Sequence, residues 1–269
     1  MARYRLTIAY DGTHFHGWQR QRTAEGRVLR TVQGAIEDAV KLRLRQPVSV
    51  IGSSRTDAGV HAFGQVAHFD ADCPIPLDRL PMALNSRLPD DVEILSAEAV
   101  DETFDAIRCC TGKRYRYRLY VGERRPLLRR HQVFHVFHDL DPDRMRDAAG
   151  RLVGTHDFEG FAAAGHGRES TVRTITDCFV EPRDNDELHV VVAGNGFLWN
   201  MVRIIVGTLV EVGRGRWAPD RIDEILRTAD RRLAGPTAPP QGLYLEEIFY
   251  GDSTAEDAER AEEGTADER

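Results

Sequence analysis

Lysine is nearly absent from this chain. Of its 36 basic residues only Lys41 and Lys113 are lysine, and the other 34 are arginine. Arginine suits bidentate phosphate contacts and stacking on bases, but a GC-rich genome gives the same bias, so the count alone is no nucleic-acid signature. Cysteine is scarce too. Cys73, Cys109, Cys110 and Cys178 form no Cys-x-x-Cys pair and accompany no histidine cluster at zinc spacing, a pattern of buried or idle thiols in a reducing compartment. No apolar run approaches the length of a membrane span, and the opening Met1-Ala2-Arg3-Tyr4 has no apolar signal segment. A cytoplasmic protein with no membrane partner is expected. An excess of positive charge is also missing. The net charge is −7, but residues 251–269 hold eight acids against Arg260 and Arg269, which leaves the rest of the chain close to neutral. That tail has almost no apolar residues and reads as an acidic disordered segment. A nucleic-acid partner then requires the arginines to be gathered in one place.

What is present is a repeated order of strand and helix patterns in a chain long enough to bury a substantial core. Tyr4, Leu6, Ile8 and Tyr10 alternate along a strand over 3–10. Thr31 is the expected N-cap of a helix carrying Val32, Ala35, Ile36, Ala39 and Val40 on one face, stopped by Pro47. Strands over 48–51 and 65–70, a helix over 77–88 interrupted by Pro81, and a strand over 92–97 complete a β-α-β-β-α-β order. The second half repeats it. Strands are expected over 113–121 and 132–137, then a helix over 144–153 started by Asp141 and Pro142. Strands over 172–180 and 188–193, helices over 197–212 and 219–229, and a strand over 243–250 follow. The expected fold class is α+β: two ferredoxin-like βαββαβ halves, 1–104 and 105–250, related by pseudo-twofold symmetry. Their antiparallel sheets would meet at a central cleft, the usual place for a ligand site.

Three stretches carry the chemistry. The first is Gly52-Ser53-Ser54-Arg55-Thr56-Asp57-Ala58-Gly59-Val60-His61-Ala62, a polar loop between two strand patterns and long for a hairpin. Its one carboxylate, Asp57, either bonds its own backbone in a turn or is presented as a catalytic group; His61 reads as a histidine packing the loop. The second is the helix over 197–212, apolar nearly all round, with Arg203 in its middle. A guanidinium left unpaired in a core costs on the order of several kcal/mol. Arg203 therefore either snorkels to solvent or pairs with a carboxylate lining the cleft, for which Asp57 is the candidate. The third is the strand over 113–121, where Arg114, Arg116 and Arg118 share one face and Tyr115, Tyr117 and Leu119 the other. Such a stripe is either a solvated charged face or an RNA surface.

Together these stretches resemble the tRNA pseudouridine synthase A family. The resemblance runs from about residue 4 to 250 through Tyr10-Asp11-Gly12, Gly17-Trp18-Gln19-Arg20-Gln21, Arg55-Thr56-Asp57-Ala58-Gly59-Val60-His61, Asn85 with Leu88-Pro89, Arg114-Tyr115-Arg116-Tyr117, Met201-Val202-Arg203 with Ile205-Val206-Gly207, and Gly242-Leu243-Tyr244-Leu245. It implies two ferredoxin-like halves, a homodimer, no metal and no cofactor. It also implies isomerisation of uridines in the tRNA anticodon stem-loop, just 3′ of the anticodon. Residue by residue, Asp57 matches the catalytic aspartate, Tyr115 the tyrosine against the target base, and Arg203 the arginine paired with that aspartate. Arg55 is a candidate for holding the backbone of the flipped nucleotide. The chain departs from the family pattern in a longer segment 22–30 and in its acidic tail.

The implied chemistry suits these residues. The N1–C1′ bond breaks, the uracil turns and C5 joins C1′, with nothing oxidised and no cofactor required. A carboxylate can attack C1′ or take a proton from C2′, and the sequence does not choose. Arg203 would oppose the Asp57 charge and Tyr115 would stack on the uracil. Two other readings compete: a catalytically inactive RNA-binding or RNA-chaperone protein of the same fold, and a metal-dependent phosphodiesterase, which would want clustered carboxylates or histidines.

Overall fold

The computed structural model describes residues 1–251 except 166 and 168, so the acidic tail lies outside the described residues. In chain order the elements are β1 (Ala2–Tyr10), α1 (Val32–Leu44), β2 (Ile51–Gly52), β3 (His61–Ala71), α2 (Leu80–Asn85), β4 (Val92–Val100) and β5 (Cys110–Val121). Then come β6 (Phe134–Val136), α3 (Pro142–Gly150), β7 (Gly154–Asp157), β8 (Val172–Arg183), β9 (Glu187–Gly194), α4 (Met201–Gly213), α5 (Arg221–Thr228) and β10 (Leu243–Tyr250).

Local chemistry accounts for most boundaries. The Thr31 hydroxyl accepts from the Gly34 N–H and starts α1, while Arg45, left-handed at φ 56°, ends it before Pro47 is reached. Pro81 falls in the first turn of α2, where its missing N–H costs nothing. The Asp141 carboxylate caps α3 by accepting from the N–H groups of Asp143 and Arg144. Three expectations shift. The strand over 48–51 shrinks to Ile51–Gly52, β3 begins earlier at His61, and β7 was missed because its four residues, Gly154–Asp157, alternate only weakly.

The strands form one sheet in the order β4-β1-β3-β10-β5-β9-β8-β7, with β2 against β3 and β6 against β5. All pairings are antiparallel except β5 with β6 and the short β3–β10 pairing, Tyr244↔His61 and Leu245↔Ala62. The protein is thus a mixed α+β fold on one large, mostly antiparallel sheet. Two sheets meeting at a cleft were expected; the β3–β10 pairing instead fuses them into a continuous sheet. It brings His61, just past the Asp57 loop, beside β10, whose other neighbour is β5 with Tyr115.

Helix α4 is buried along its length apart from Arg203. It begins at Met201, not at 197, because Asn200 adopts a left-handed conformation at φ 60°. Arg203 therefore stands in the first turn rather than mid-helix. The chain at 234–238 runs hard against α4: a β carbon at Gly207 would lie 1.8 Å from the Pro236 carbonyl oxygen, and the Gly235 N–H donates to Thr208 Oγ1 at 2.9 Å. Gly207→Ala would gain about 1 kcal/mol of helix propensity but drives a methyl into backbone that cannot swing aside. A net destabilisation of about 1–3 kcal/mol is expected, read as a lower thermal midpoint; an unchanged midpoint would show that 234–238 is free to move off the helix.

Candidate active site

The loop between β2 and β3 is braced through its backbone and through Thr56 and Ser54, which leaves the Asp57 side chain available. The Trp18 N–H donates to the Thr56 carbonyl at 3.1 Å and the Gly59 N–H to the Phe15 carbonyl at 3.4 Å. Gly17 permits this approach: at φ +84° it holds a conformation that suits glycine, and a β carbon there would lie 2.4 Å from the Thr56 oxygen. The Trp18 indole lies over Gly52, leaving no room for a β carbon. Tyr10, buried in β1, shares a 2.8 Å hydrogen bond with Thr56 Oγ1, and the Gln65 side chain clamps both the N–H and the carbonyl of Ser54. Phe15 and Trp18 are therefore buried supports for the loop.

Held this way, the loop turns Asp57 into a cleft of about 1000 Å³ that also takes its walls from β5 and from residues 197–203. The Asp57 side chain keeps 40% of its surface exposed, against 15% for Arg203. Arg203 Nη1 reaches Asp57 Oδ2 at 3.4 Å and donates to Asn200 Oδ1 at 2.8 Å, while Nε donates to the Ala238 carbonyl at 2.7 Å. The opposed charges are thus in contact, but the guanidinium is held more closely by two neutral oxygens than by the carboxylate.

Tyr115 also lines the cleft. Its hydroxyl shares a 2.9 Å hydrogen bond with Ser54 Oγ, and its ring meets Phe197 edge to face at 5.1 Å. Burial pushes the phenol up to about 12, the nearby Asp57 charge acting in the same direction against the Ser54 hydrogen bond. At neutral pH it is an uncharged ring with a fixed hydroxyl. Lys113, two residues earlier on the same face of β5, lines the cleft and donates to the Ser53 carbonyl at 2.9 Å. Arg55 is exposed at the cleft with no hydrogen bond or ion pair among the described residues.

The arginine stripe of β5 is neutralised within the sheet. Arg116 bonds Glu246 at 2.6 Å and Glu181 at 2.8 Å, Arg118 bonds Glu187 at 2.9 Å, and Arg114 bonds Glu247 at 3.1 Å. Cross-strand partners of this kind hold the stripe as a paired, partly solvated face, and the phosphate-surface alternative loses its free cations. His61 is buried, accepts from the Gly12 N–H at Nδ1 and bonds the His131 carbonyl through Nε2 at 2.9 Å. Burial lowers its pKa, with Asp11 opposing; the ring is a neutral brace stacked on Tyr244 at 4.7 Å. Among the described residues, no group of three or more His, Cys, Asp or Glu side chains is placed to hold a metal ion, and no helix is long and apolar enough to cross a membrane.

The geometry brings Asp57, Arg203, Tyr115 and Arg55 to one cleft. It adds Ser54, Lys113, Phe197 and Asn200, which the sequence did not single out. Asn200 was hidden because the apolar pattern ran straight through it.

A family model described as tRNA pseudouridine synthase matches residues 6–108 and 148–251. The chain belongs to that family. It is 48% identical over 250 residues to tRNA pseudouridine synthase A of Acetivibrio thermocellus, covering 93% of this chain and 100% of that protein. To the protein of the same name from Bacillus pumilus it is 48% identical over 249 residues, covering 91% and 98%. To that from Myxococcus xanthus it is 45% identical over 252 residues, covering 94% and 93%. The first stretch matched by the pseudouridine synthase model holds Asp57 and the second holds Arg203; Tyr115 lies between them.

Proposed function

We propose that this chain is a tRNA pseudouridine synthase that isomerises uridines in the anticodon stem-loop, just 3′ of the anticodon, with Asp57 as its catalytic carboxylate. The observation that carries the reading is the arrangement of the cleft: one accessible carboxylate, Asp57, against the Arg203 cation at 3.4 Å, with Tyr115 lining the same cleft. The N1–C1′ bond breaks, the uracil turns over, C5 bonds to C1′, and the proton lost from C5 is balanced by one gained at N1. Asp57 starts this either by attack at C1′ or by taking the C2′ proton. Arg203 opposes the carboxylate charge, and Tyr115 contacts the uracil. Arg55, exposed at the mouth, takes the backbone phosphate of the flipped nucleotide. Flipping costs on the order of a few kcal/mol, supplied by phosphate contacts elsewhere on the RNA.

The same reading treats residues 1–104 and 105–250 as two βαββαβ halves. Its support is that the strand order β4-β1-β3-β2 recurs as β10-β5-β9-β8. It also takes the working form to be a cytoplasmic homodimer that needs neither metal nor cofactor.

Mapping pseudouridine in tRNA transcripts incubated with the pure protein and a chelator tests this function. Conversion confined to uridines just 3′ of the anticodon is expected; conversion elsewhere, or none, would contradict it. Tyr115 has its own test. Tyr115→Phe removes the Ser54 hydrogen bond and keeps the ring, whereas Tyr115→Leu removes both. Single-turnover rates should fall about tenfold or more for Leu and less for Phe, with tRNA affinity nearly unchanged because phosphate contacts dominate it. Equal losses in rate and affinity would make Tyr115 a docking residue.

A further inference from the structure

Asn200 occupies the position where a helix is normally capped, yet its side chain caps nothing. An asparagine before the first turn ordinarily accepts from a backbone N–H two or three residues on; here no such bond forms at the start of α4. The residue also sits at φ 60°, ψ 7°, a left-handed conformation that costs most residues about 1–2 kcal/mol and that asparagine tolerates better than most. Its backbone carbonyl still accepts from the Ile204 N–H at 2.9 Å, so the helix begins normally. The side chain is used elsewhere. Oδ1 accepts from Arg203 Nη1 at 2.8 Å, the same nitrogen that reaches Asp57 at 3.4 Å.

We propose that Asn200 is a positioning residue: a neutral acceptor that aims the Arg203 guanidinium at Asp57 without cancelling its charge. Neutrality matters because the two close acceptors, Asn200 Oδ1 and the Ala238 carbonyl, fix the plane of the group and contribute no formal negative charge. The positive charge stays available to Asp57 and to an anionic substrate group. A carboxylate at residue 200 would instead form an ion pair with the same nitrogen and compete with Asp57 for its charge. The inference rests on the assignment of Asp57 and Arg203 to the reaction centre.

Asn200→Gly separates this role from a purely structural one. Glycine adopts the left-handed backbone freely, so it removes the amide and keeps the turn. The single-turnover rate on tRNA should fall about tenfold to a hundredfold, the range for a misplaced catalytic group. The thermal midpoint should fall less than in Arg203→Met, because the Ala238 bond and the contact to Asp57 remain, and the dissociation constant for tRNA should stay within about twofold. Asn200→Asp keeps an acceptor of the same shape, adds the competing charge and should lose rate similarly. A wild-type rate in either variant overturns the proposal, as does a loss of affinity equal to the loss of rate. Asp57→Asn measured alongside keeps the two readings apart: if it is inactive while Asn200→Gly is fully active, only the role of Asn200 falls, and if it is active the reaction centre itself has been misassigned.

Discussion

Asp57→Asn and Asp57→Ala should fold, bind tRNA and fail to turn it over. The structure explains why the fold should survive. Among the described residues the Asp57 side chain accepts only from Arg203, whereas the loop is fixed through the backbone of Ser54, Thr56 and Gly59 by Gln65, Trp18 and Phe15. Asparagine keeps the shape and the contact to Arg203 but can neither attack a carbon nor take a proton. The expected loss is at least about a thousandfold, within the range for removal of a general base. Affinity for tRNA should change by less than about threefold, because phosphate contacts set it. A variant that keeps a tenth of the normal rate would remove Asp57 from the mechanism.

The second large effect concerns Arg203. Arg203→Met should lower the rate with that of Asp57→Asn and should also cost stability, by about 1–3 kcal/mol, because it strips the Asn200 and Ala238 oxygens of their donor and leaves the Asp57 charge unopposed. Combining Arg203→Met with Asp57→Asn should recover part of that loss, since the stranded carboxylate is gone. The coupling should be about 1 kcal/mol or somewhat less, within the range for residues in contact; with Asp57 40% exposed, solvent screens the pair. Urea unfolding of the wild type, both single variants and the double variant measures it. Strict additivity would mean that Arg203 answers to another anion, the RNA backbone being the first candidate.

Much of this was legible in the sequence, for physical reasons that differ from one residue to the next. Period-two alternation located β1 because it buries one face, and Thr31 and Asp141 announced their helices because capping needs a side-chain oxygen at that place. A buried cation must find an acceptor, which is why Arg203 points to a partner from its place in an apolar stretch alone. The misses have causes as well. The apolar pattern runs four residues beyond the true start of α4, because hydrophobicity does not register that Asn200 has turned left-handed. Fusion of the expected two sheets depends on the parallel β3–β10 pairing, a contact between strands far apart in sequence that no local pattern encodes. The β5 arginines could not be assigned because their partners sit on other strands, Glu187, Glu246 and Glu247 on the two adjacent ones and Glu181 on β8 beyond β9, in a register only the fold supplies.

The most direct measurement is a crystal structure of the Asp57→Asn variant bound to a tRNA anticodon stem-loop. One uridine should be flipped out of the stack into the cleft, its ring against Tyr115 and its C1′ or C2′ within about 3–3.5 Å of the residue 57 side chain, the separation of a near-attack arrangement. Arg55 should lie at that nucleotide's phosphate. An RNA bound across another face, with every base stacked and the Asp57 cleft empty, would contradict the account at its centre.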